Sequence, residues 1–301
     1  MEASATASPM ALQVPERWRR LDVAPLQGTL LVIGAPDSGK STFARYLFRR
    51  LAEVHGRVAF LDGDVGQATL GPPTTMTLVV GEGETTFPPA GLRRRVFVGN
   101  ISPRGHMLPL VVGASRLQRE AIAQGAKAVV VDTTGLVAPD RGGVALKEAL
   151  IALLEPTVVF ALARQRELEP ILFPLRRSRR VRVIEMPVAP AVRRRPLPVR
   201  QAHRITRFRD YFAQARDLAV RWDRLALFGG MGFLPRRLLA FEDARGFALA
   251  LGVLMDHDRA TRTLTVRTPL PGLDGVDALR LGNLFVDPET GKHWRGGGRR
   301  A

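Results

Sequence analysis

Short apolar runs alternate with segments of helical period from residue 29 to about residue 185. Thr29-Leu-Leu-Val-Ile-Gly34 is a continuous apolar run that ends in glycine and predicts a buried strand. From residue 40 to about 54, Phe43, Tyr46, Leu47 and Leu51 fall on one face of a helix. Arg57-Val-Ala-Phe-Leu-Asp62 and Ala128-Val-Val-Val-Asp132 predict two further buried strands. Shorter strands are expected at 76–80, 95–98, 157–162 and 181–185, and helices at 107–124 and 144–154. Apolar strands alternating with amphipathic helices imply a mostly parallel sheet covered on both faces. Such a sheet places its site outside the carboxyl ends of the strands. Gly34, Asp62, Asp64, Asp132 and Thr133 all follow strand ends.

Prolines 187, 190, 196 and 198 crowd together and predict a boundary. A helix is expected beyond it at 201–218. Alternating segments such as Thr261-Arg-Thr-Leu-Thr-Val-Arg267 then predict a small β-rich unit. The expected plan is a loose lead-in at 1–28, an α/β unit at 29–190, a C-terminal unit at 191–295 and a disordered tail at 296–301.

The first fixed chemistry is Gly34-Ala-Pro-Asp-Ser-Gly-Lys40-Ser41, which fits G-x-x-x-x-G-K-[ST] between a predicted strand and a predicted helix. Glycines let the backbone curl so that its N–H groups face phosphates, and the helix N-terminus adds positive partial charge. Lys40 would reach the β- and γ-phosphates and the Ser41 hydroxyl a magnesium ion. The fold class expected is therefore α/β, a P-loop NTPase parallel sheet with helices on both faces, plus the small β-rich C-terminal domain. The chain has no Asn-Lys-x-Asp guanine-reading element. Asp132 is followed by Thr133-Thr134 rather than glutamate, which weakens a motor reading and leaves kinases.

Asp62 and Asp64 follow the second strand two residues apart. Phosphoryl transfer to a hydroxyl needs a carboxylate near the attacking oxygen and another group on the metal. The competing reading is an Asx-turn that closes the strand.

Composition narrows the partner. The 301 residues carry 45 Lys and Arg against 28 Asp and Glu, a formal net charge of +17, and only Lys40, Lys127, Lys147 and Lys292 are lysines. Arginine forks onto phosphates, and a charge of this size points to a polyanion. Arg176, Arg177, Arg179, Arg180 and Arg182 form the densest run, followed by Arg193 to Arg195. Arg200, Arg204 and Arg207 share a helical face. The chain has no cysteine, which excludes disulfides, cysteine-bound zinc, iron–sulfur clusters and a cysteine nucleophile. No histidine pair has metal-ligand spacing. No stretch is long enough to span a membrane, and residues 1–10 lack the pattern of a secretory leader, so the expected location is the cytoplasm.

Together the P-loop containing Asp37 and the segment Asp64-Val-Gly-Gln67 resemble the polynucleotide 5′-hydroxyl kinases, a family that includes the kinase-like subunit of the mRNA 3′-end cleavage machinery and ribosomal-RNA-processing kinases. Gly99-Asn-Ile-Ser-Pro-Arg-Gly-His106 is similar to the family's Ser-Pro segment, and Asp132-Thr-Thr-Gly-Leu136 to its Thr-x-Gly-Trp clasp. Arg176-Arg-Ser-Arg-Arg180 is similar to its arginine lid. Leu249-Ala-Leu-Gly252 and Leu279-Arg-Leu-Gly282 are similar to its last domain.

The resemblance implies ATP and Mg²⁺ as cofactors and the 5′-hydroxyl end of RNA, with DNA undistinguished, as partner. It implies that Gly34, Ala35, Pro36, Asp37, Ser38, Gly39, Lys40, Ser41 and Thr42 bind the nucleotide. Ser41 would hold the metal with help from Asp62. Asp64 would accept the hydroxyl proton, and Lys40, Arg176 and Arg180 would neutralise developing charge. Gln67, His106, Thr133, Thr134 and Gly135 would place the acceptor. The clasp Trp is replaced by Leu136, so stacking worth ~1–3 kcal/mol is lost there. Trp18 has two readings, an adenine platform or plain packing. Two other functions stay open: an ATP-dependent scaffold without turnover, and a small-molecule or nucleoside kinase.

Overall fold

The computed structural model describes residues 14–83, 86–230 and 232–296. The leader question at residues 1–10 and the expected tail from residue 297 onward lie outside the described residues.

In chain order, the first unit contains α1 (Glu16–Arg19), β1 (Gly28–Gly34), α2 (Lys40–His55), β2 (Arg57–Asp62), β3 (Thr75–Glu82) and β4 (Leu92–Phe97). It continues with α3 (Met107–Ala123), β5 (Ala128–Asp132), α4 (Gly143–Leu154), β6 (Val158–Leu162), α5 (Glu169–Ser178) and β7 (Arg182–Met186). The strands form one sheet in the order β4-β3-β2-β5-β1-β6-β7. β2, β5, β1, β6 and β7 are parallel, while β3 and β4 extend the edge antiparallel.

Alternation along the strands sorts two core layers. Leu31, Ile33, Leu61 and Val131 pack with α3, α4 and α5, while Leu30, Val32, Phe60 and Val130 pack with α2. Register sets Asp132 beside Val32 on one side and Asp62 on the other, so both acids end their strands at the same level.

Three expectations change. The lead-in from residue 14 is not loose. Trp18 is fully buried, edge-on to Phe43, and donates its indole N–H to the Pro187 carbonyl at 3.0 Å, with Val23 and Leu26 in the same layer. The adenine-platform reading of Trp18 is thereby overturned, because no face of the ring is exposed. α5 has no counterpart among the helices expected from the sequence. It forms because Pro170 sits in the first turn, where the missing N–H costs nothing, and Ile171 and Leu172 are buried. Finally, the helix expected at 201–218 is α6 (Leu197–Phe212). Pro198 occupies its first turn, and residues 216–218 already belong to a strand.

That strand is β8 (Arg216–Arg221), followed by β9 (Ala226–Phe228), β10 (Arg237–Glu242), β11 (Ala248–Asp258), β12 (Thr263–Thr268), β13 (Ala278–Val286) and β14 (His293–Arg295). They form a second sheet, β14-β13-β10-β11-β12-β8, with β9 parallel to β13. Phe208 and Phe212 of α6 pack on one of its faces together with Phe97 from the first unit. Among the described residues, no helix is long and apolar enough to cross a membrane.

Candidate active site

A cleft of about 850 Å³ opens at the carboxyl ends of β1, β2 and β5. Its floor is the loop between β1 and α2. Gly39 has φ +82°, in the left-handed region that admits glycine readily. A side chain at Gly34 would meet the Ser38 hydroxyl at 2.3 Å and the Leu162 carbonyl at 2.8 Å. Lys40 begins α2 and is almost wholly buried, yet it lines the cleft beside Ser41 and Thr42.

The three acids have distinct environments. Asp132 is buried at the end of β5. The Ser41 hydroxyl hydrogen-bonds to it, and its Oδ1 has no partner among the described residues. Burial, opposed by Lys40 and reinforced by Asp62, pushes its pKa up to about 7. Asp62 is equally buried, but Oδ2 accepts the Thr69 N–H at 2.6 Å, the Thr69 hydroxyl at 3.1 Å and the Leu70 N–H at 2.9 Å. Oδ2 is thus committed to closing the loop after β2, Oδ1 accepts the Asp64 N–H at 3.3 Å, and Asp62 is not among the residues that line the cleft. Asp64 sits on that loop. Its Oδ1 accepts the N–H groups of Gly66 and Gln67 at 3.0 Å each, and the residue lines the cleft. The Asx-turn expected of this segment is present and uses one oxygen of Asp64.

The opposite wall is the segment after β5. Thr134 and Gly135 line the cleft, and the Thr134 hydroxyl is buried without a partner among the described residues. Gly135 lies flat on the P-loop, where a Cβ would come within 2.8 Å of the Pro36 nitrogen. Thr133 does not face the cleft. Its hydroxyl donates to the Val32 carbonyl at 2.8 Å and accepts from Lys147 at 2.9 Å. It shapes the wall rather than touching an acceptor.

The third wall is arginine. The linker after β7 crosses the P-loop, with Val192 against Gly39, and α6 follows it. Arg193, Arg195, Arg200, His203 and Arg204 line the cleft from this side, facing Arg104 and Arg141. Gln67 lies between these walls. Its side-chain amide donates to the Gly66 carbonyl at 2.7 Å and the Arg200 carbonyl at 3.4 Å, while Oε1 is buried with no partner among the described residues. Arg207 donates to the Thr69 and Gly71 carbonyls, so α6 touches both the P-loop wall and the Asp64 loop. No Phe, Tyr or Trp lines the cleft among the described residues.

A P-loop with this basic wall has known counterparts. The family model described as mRNA cleavage and polyadenylation factor CLP1 P-loop matches residues 34–214. The chain belongs to this family. A polyribonucleotide 5′-hydroxyl-kinase of Thermococcus kodakarensis is 32% identical over 87% of this chain and 89% of its own length. Its counterpart in Pyrococcus abyssi is 29% identical over 85% and 87%. The match to the Methanocaldococcus jannaschii protein of the same description is 27% identical and covers 71% of this chain but 58% of that protein. In fold, the wild-type Clp1p–Pcf11p complex aligns with a TM-score of 0.63 at 12% identity, over 85% of this chain and 74% of that one.

Within this CLP1 P-loop family member, two further sequence assignments move. Arg176 points away from the cleft and is held by Glu169 at 2.9 Å and Glu185 at 2.6 Å, while Arg180 lies in the exposed turn before β7. Neither lines the cleft. Arg195, Arg200 and Arg204 take that position, and their helical spacing at 200 and 204 was the available signal. His106 is the second. It caps α3, pairs with Asn283 of β13 at 3.1 Å and stands outside the cleft lining. Two residues carried no assigned role in the sequence. The sequence does not choose between Asp132 and Asp62 as the acid that assists the metal. Lys147 looks like an ordinary helix lysine, and only the fold shows its side chain to be fully buried.

Proposed function

We propose that this chain is a polynucleotide 5′-hydroxyl kinase that transfers the γ-phosphoryl group of ATP to the 5′ end of RNA. The observation that carries this reading is that one cleft is lined by Lys40 and Ser41 of the P-loop and by Asp64. Lys40 and the P-loop N–H groups hold the phosphates. Asp64 takes the proton of the 5′-hydroxyl as its oxygen bonds to the γ-phosphorus and the bond to the β–γ bridging oxygen breaks. Arg200 and Arg204 lie where they offset the negative charge that builds up in transfer.

The donor set suits a magnesium ion. Asp132 has a buried, unpaired carboxylate oxygen next to the Ser41 hydroxyl, and a cation there would meet its unmet demand. Ser41 and Asp132 would hold the ion, which when bound neutralises phosphate oxygens. Among the described residues the cleft wall offers arginines and backbone rather than an aromatic ring, which supports end recognition with a weak preference for the terminal base.

The test is transfer from γ-labelled ATP to matched 5′-hydroxyl RNA and DNA oligonucleotides and to free nucleosides. Label on oligonucleotide ends is expected, with an apparent affinity that falls steeply with salt. Asp64→Asn should lower transfer by about 10²–10⁴-fold, the range of a lost general base, with ATP binding retained. Label confined to nucleosides overturns the polynucleotide reading. Near-normal turnover in Asp64→Asn overturns the base assignment.

A further inference from the structure

Asp37 presents a physical puzzle, a carboxylate inside an anion-binding loop. It occupies a left-handed conformation, φ +56°, that a non-glycine residue adopts at a cost. The Arg164 guanidinium donates to its carbonyl at 2.7 Å and to the Val192 carbonyl at 3.3 Å, which pins the loop to the linker. The carboxylate itself is almost fully buried and caught by two arginines. Oδ1 accepts Nε of Arg195 at 3.0 Å, and Oδ2 accepts the Arg195 backbone N–H at 3.0 Å and the Arg200 guanidinium at 2.5 Å. Burial alone would raise its pKa, but the arginine bonds outweigh burial and hold it below the ordinary carboxylate range.

Arg200 is anchored at one end only. One terminal nitrogen bonds Asp37, while its Nε is buried in the cleft wall without an acceptor among the described residues. The side chain as a whole is 29% exposed and lines the cleft, so the part of the fork that Asp37 does not hold is open to a ligand acceptor. We infer that Asp37 is a positioning residue that fixes Arg200, braced by Arg195, so that the free face of its guanidinium meets the transferring phosphoryl group. This rests on the kinase reading of the cleft. The physical logic is that a fork held on one side by a charge-assisted bond presents its other N–H groups without a search over rotamers. The charge of Asp37 is cancelled by its two partners, so it does not repel the triphosphate.

Plain electrostatics makes the opposite prediction, since removing an acid from an anion site should help or do nothing. The experiment compares wild type, Asp37→Asn, Arg195→Ala/Arg200→Ala and the triple combination, reading kcat, KM for both substrates, and direct affinities for ATP and ADP. Asp37→Asn is expected to lower kcat about tenfold or more, with the ATP dissociation constant within about threefold of wild type, and the triple variant should be no slower than the double arginine variant. A wild-type kcat in Asp37→Asn overturns the inference. So does a further, independent loss when it is added to the arginine variant. Should Asp37→Asn not fold, Arg200→Lys keeps the charge but loses the fork. A comparable kcat loss supports the inference, and full activity overturns it. If the wild-type chain labels no oligonucleotide, the kinase reading falls, and the ratio of ATP to ADP affinity decides the positioning claim. Equal and non-additive losses of that ratio support it, and an unchanged ratio in Asp37→Asn overturns it.

Discussion

The ammonium of Lys147, wholly buried on α4, donates to the Thr133 hydroxyl at 2.9 Å and to the Thr134 carbonyl at 2.7 Å. Thr133 in turn donates to the Val32 carbonyl, so the cleft wall after β5 is tied to both α4 and β1. Burial, with help from Lys40, pushes the Lys147 pKa down to about 7, against the pull of Asp64 and Asp132. An amine depressed in the folded state makes the unfolded chain the better proton binder between that pKa and the ordinary lysine range. Its contribution to stability therefore rises with pH across that window. The melting temperature of wild type relative to Lys147→Met should shift in favour of wild type from about pH 7 to about pH 9. A difference that stays flat across this range would mean that the ammonium keeps its ordinary affinity for protons.

The arginines of α5 and those of α6 should behave differently. Arg176 is committed to Glu169 and Glu185, pairs whose side chains are 36–52% exposed, and such solvent-screened pairs add little to stability. Arg176→Ala and Arg180→Ala should keep kcat within about twofold, whereas Arg204→Ala, in the cleft wall, should lose about tenfold or more. Steady-state transfer to a 5′-hydroxyl oligonucleotide separates them. A large loss in Arg176→Ala would restore the lid role to α5.

Gly135 tests the contact between the two loops. An added Cβ would lie 2.8 Å from the nitrogen and 2.9 Å from the Cα of Pro36, atoms of the P-loop that cannot swing aside. Gly135→Ala should lower kcat/KM for the oligonucleotide by about tenfold through a displaced acceptor wall. Gly272→Ala, where a Cβ meets nothing within 4 Å, is the matched control and should behave as wild type. Equal behaviour of the two variants would count against a close-packed wall.

Trp18 should act on stability alone. Its ring lies against Phe43 and its indole N–H against the Pro187 carbonyl. Trp18→Ala should cost about 3–5 kcal/mol in denaturant unfolding, with ATP affinity unchanged while the protein is folded. A selective loss of adenine nucleotide affinity at unchanged stability would reinstate the platform role.

The P-loop was legible because all its determinants are local: an apolar strand, glycines where the chain must curl, and a lysine at the start of a helix. The parallel core strands were legible for the same reason, being continuous apolar runs. Asp64 was readable from its place after β2. Asp62, two residues earlier, was not separable from it, because the N–H groups that consume its carboxylate come from Thr69 and Leu70 in a loop of no pattern.

The arginines mark the limit most clearly. Composition announced an anion-binding protein, and a dense run at 176–182 was the obvious place for a lid. Whether an arginine serves an anion depends on which acids reach it first and which way its element faces, and neither is a local property. Glu185 reaches Arg176 across a turn, whereas the proline-rich linker turns α6 back over the P-loop and delivers Arg195 and Arg200 to Asp37. The sequence alone determined that phosphates are bound and where the loop that binds them lies. Only the tertiary structure decided which charges surround them, because long-range packing, not spacing, brings residues more than 150 apart in the chain to one carboxylate.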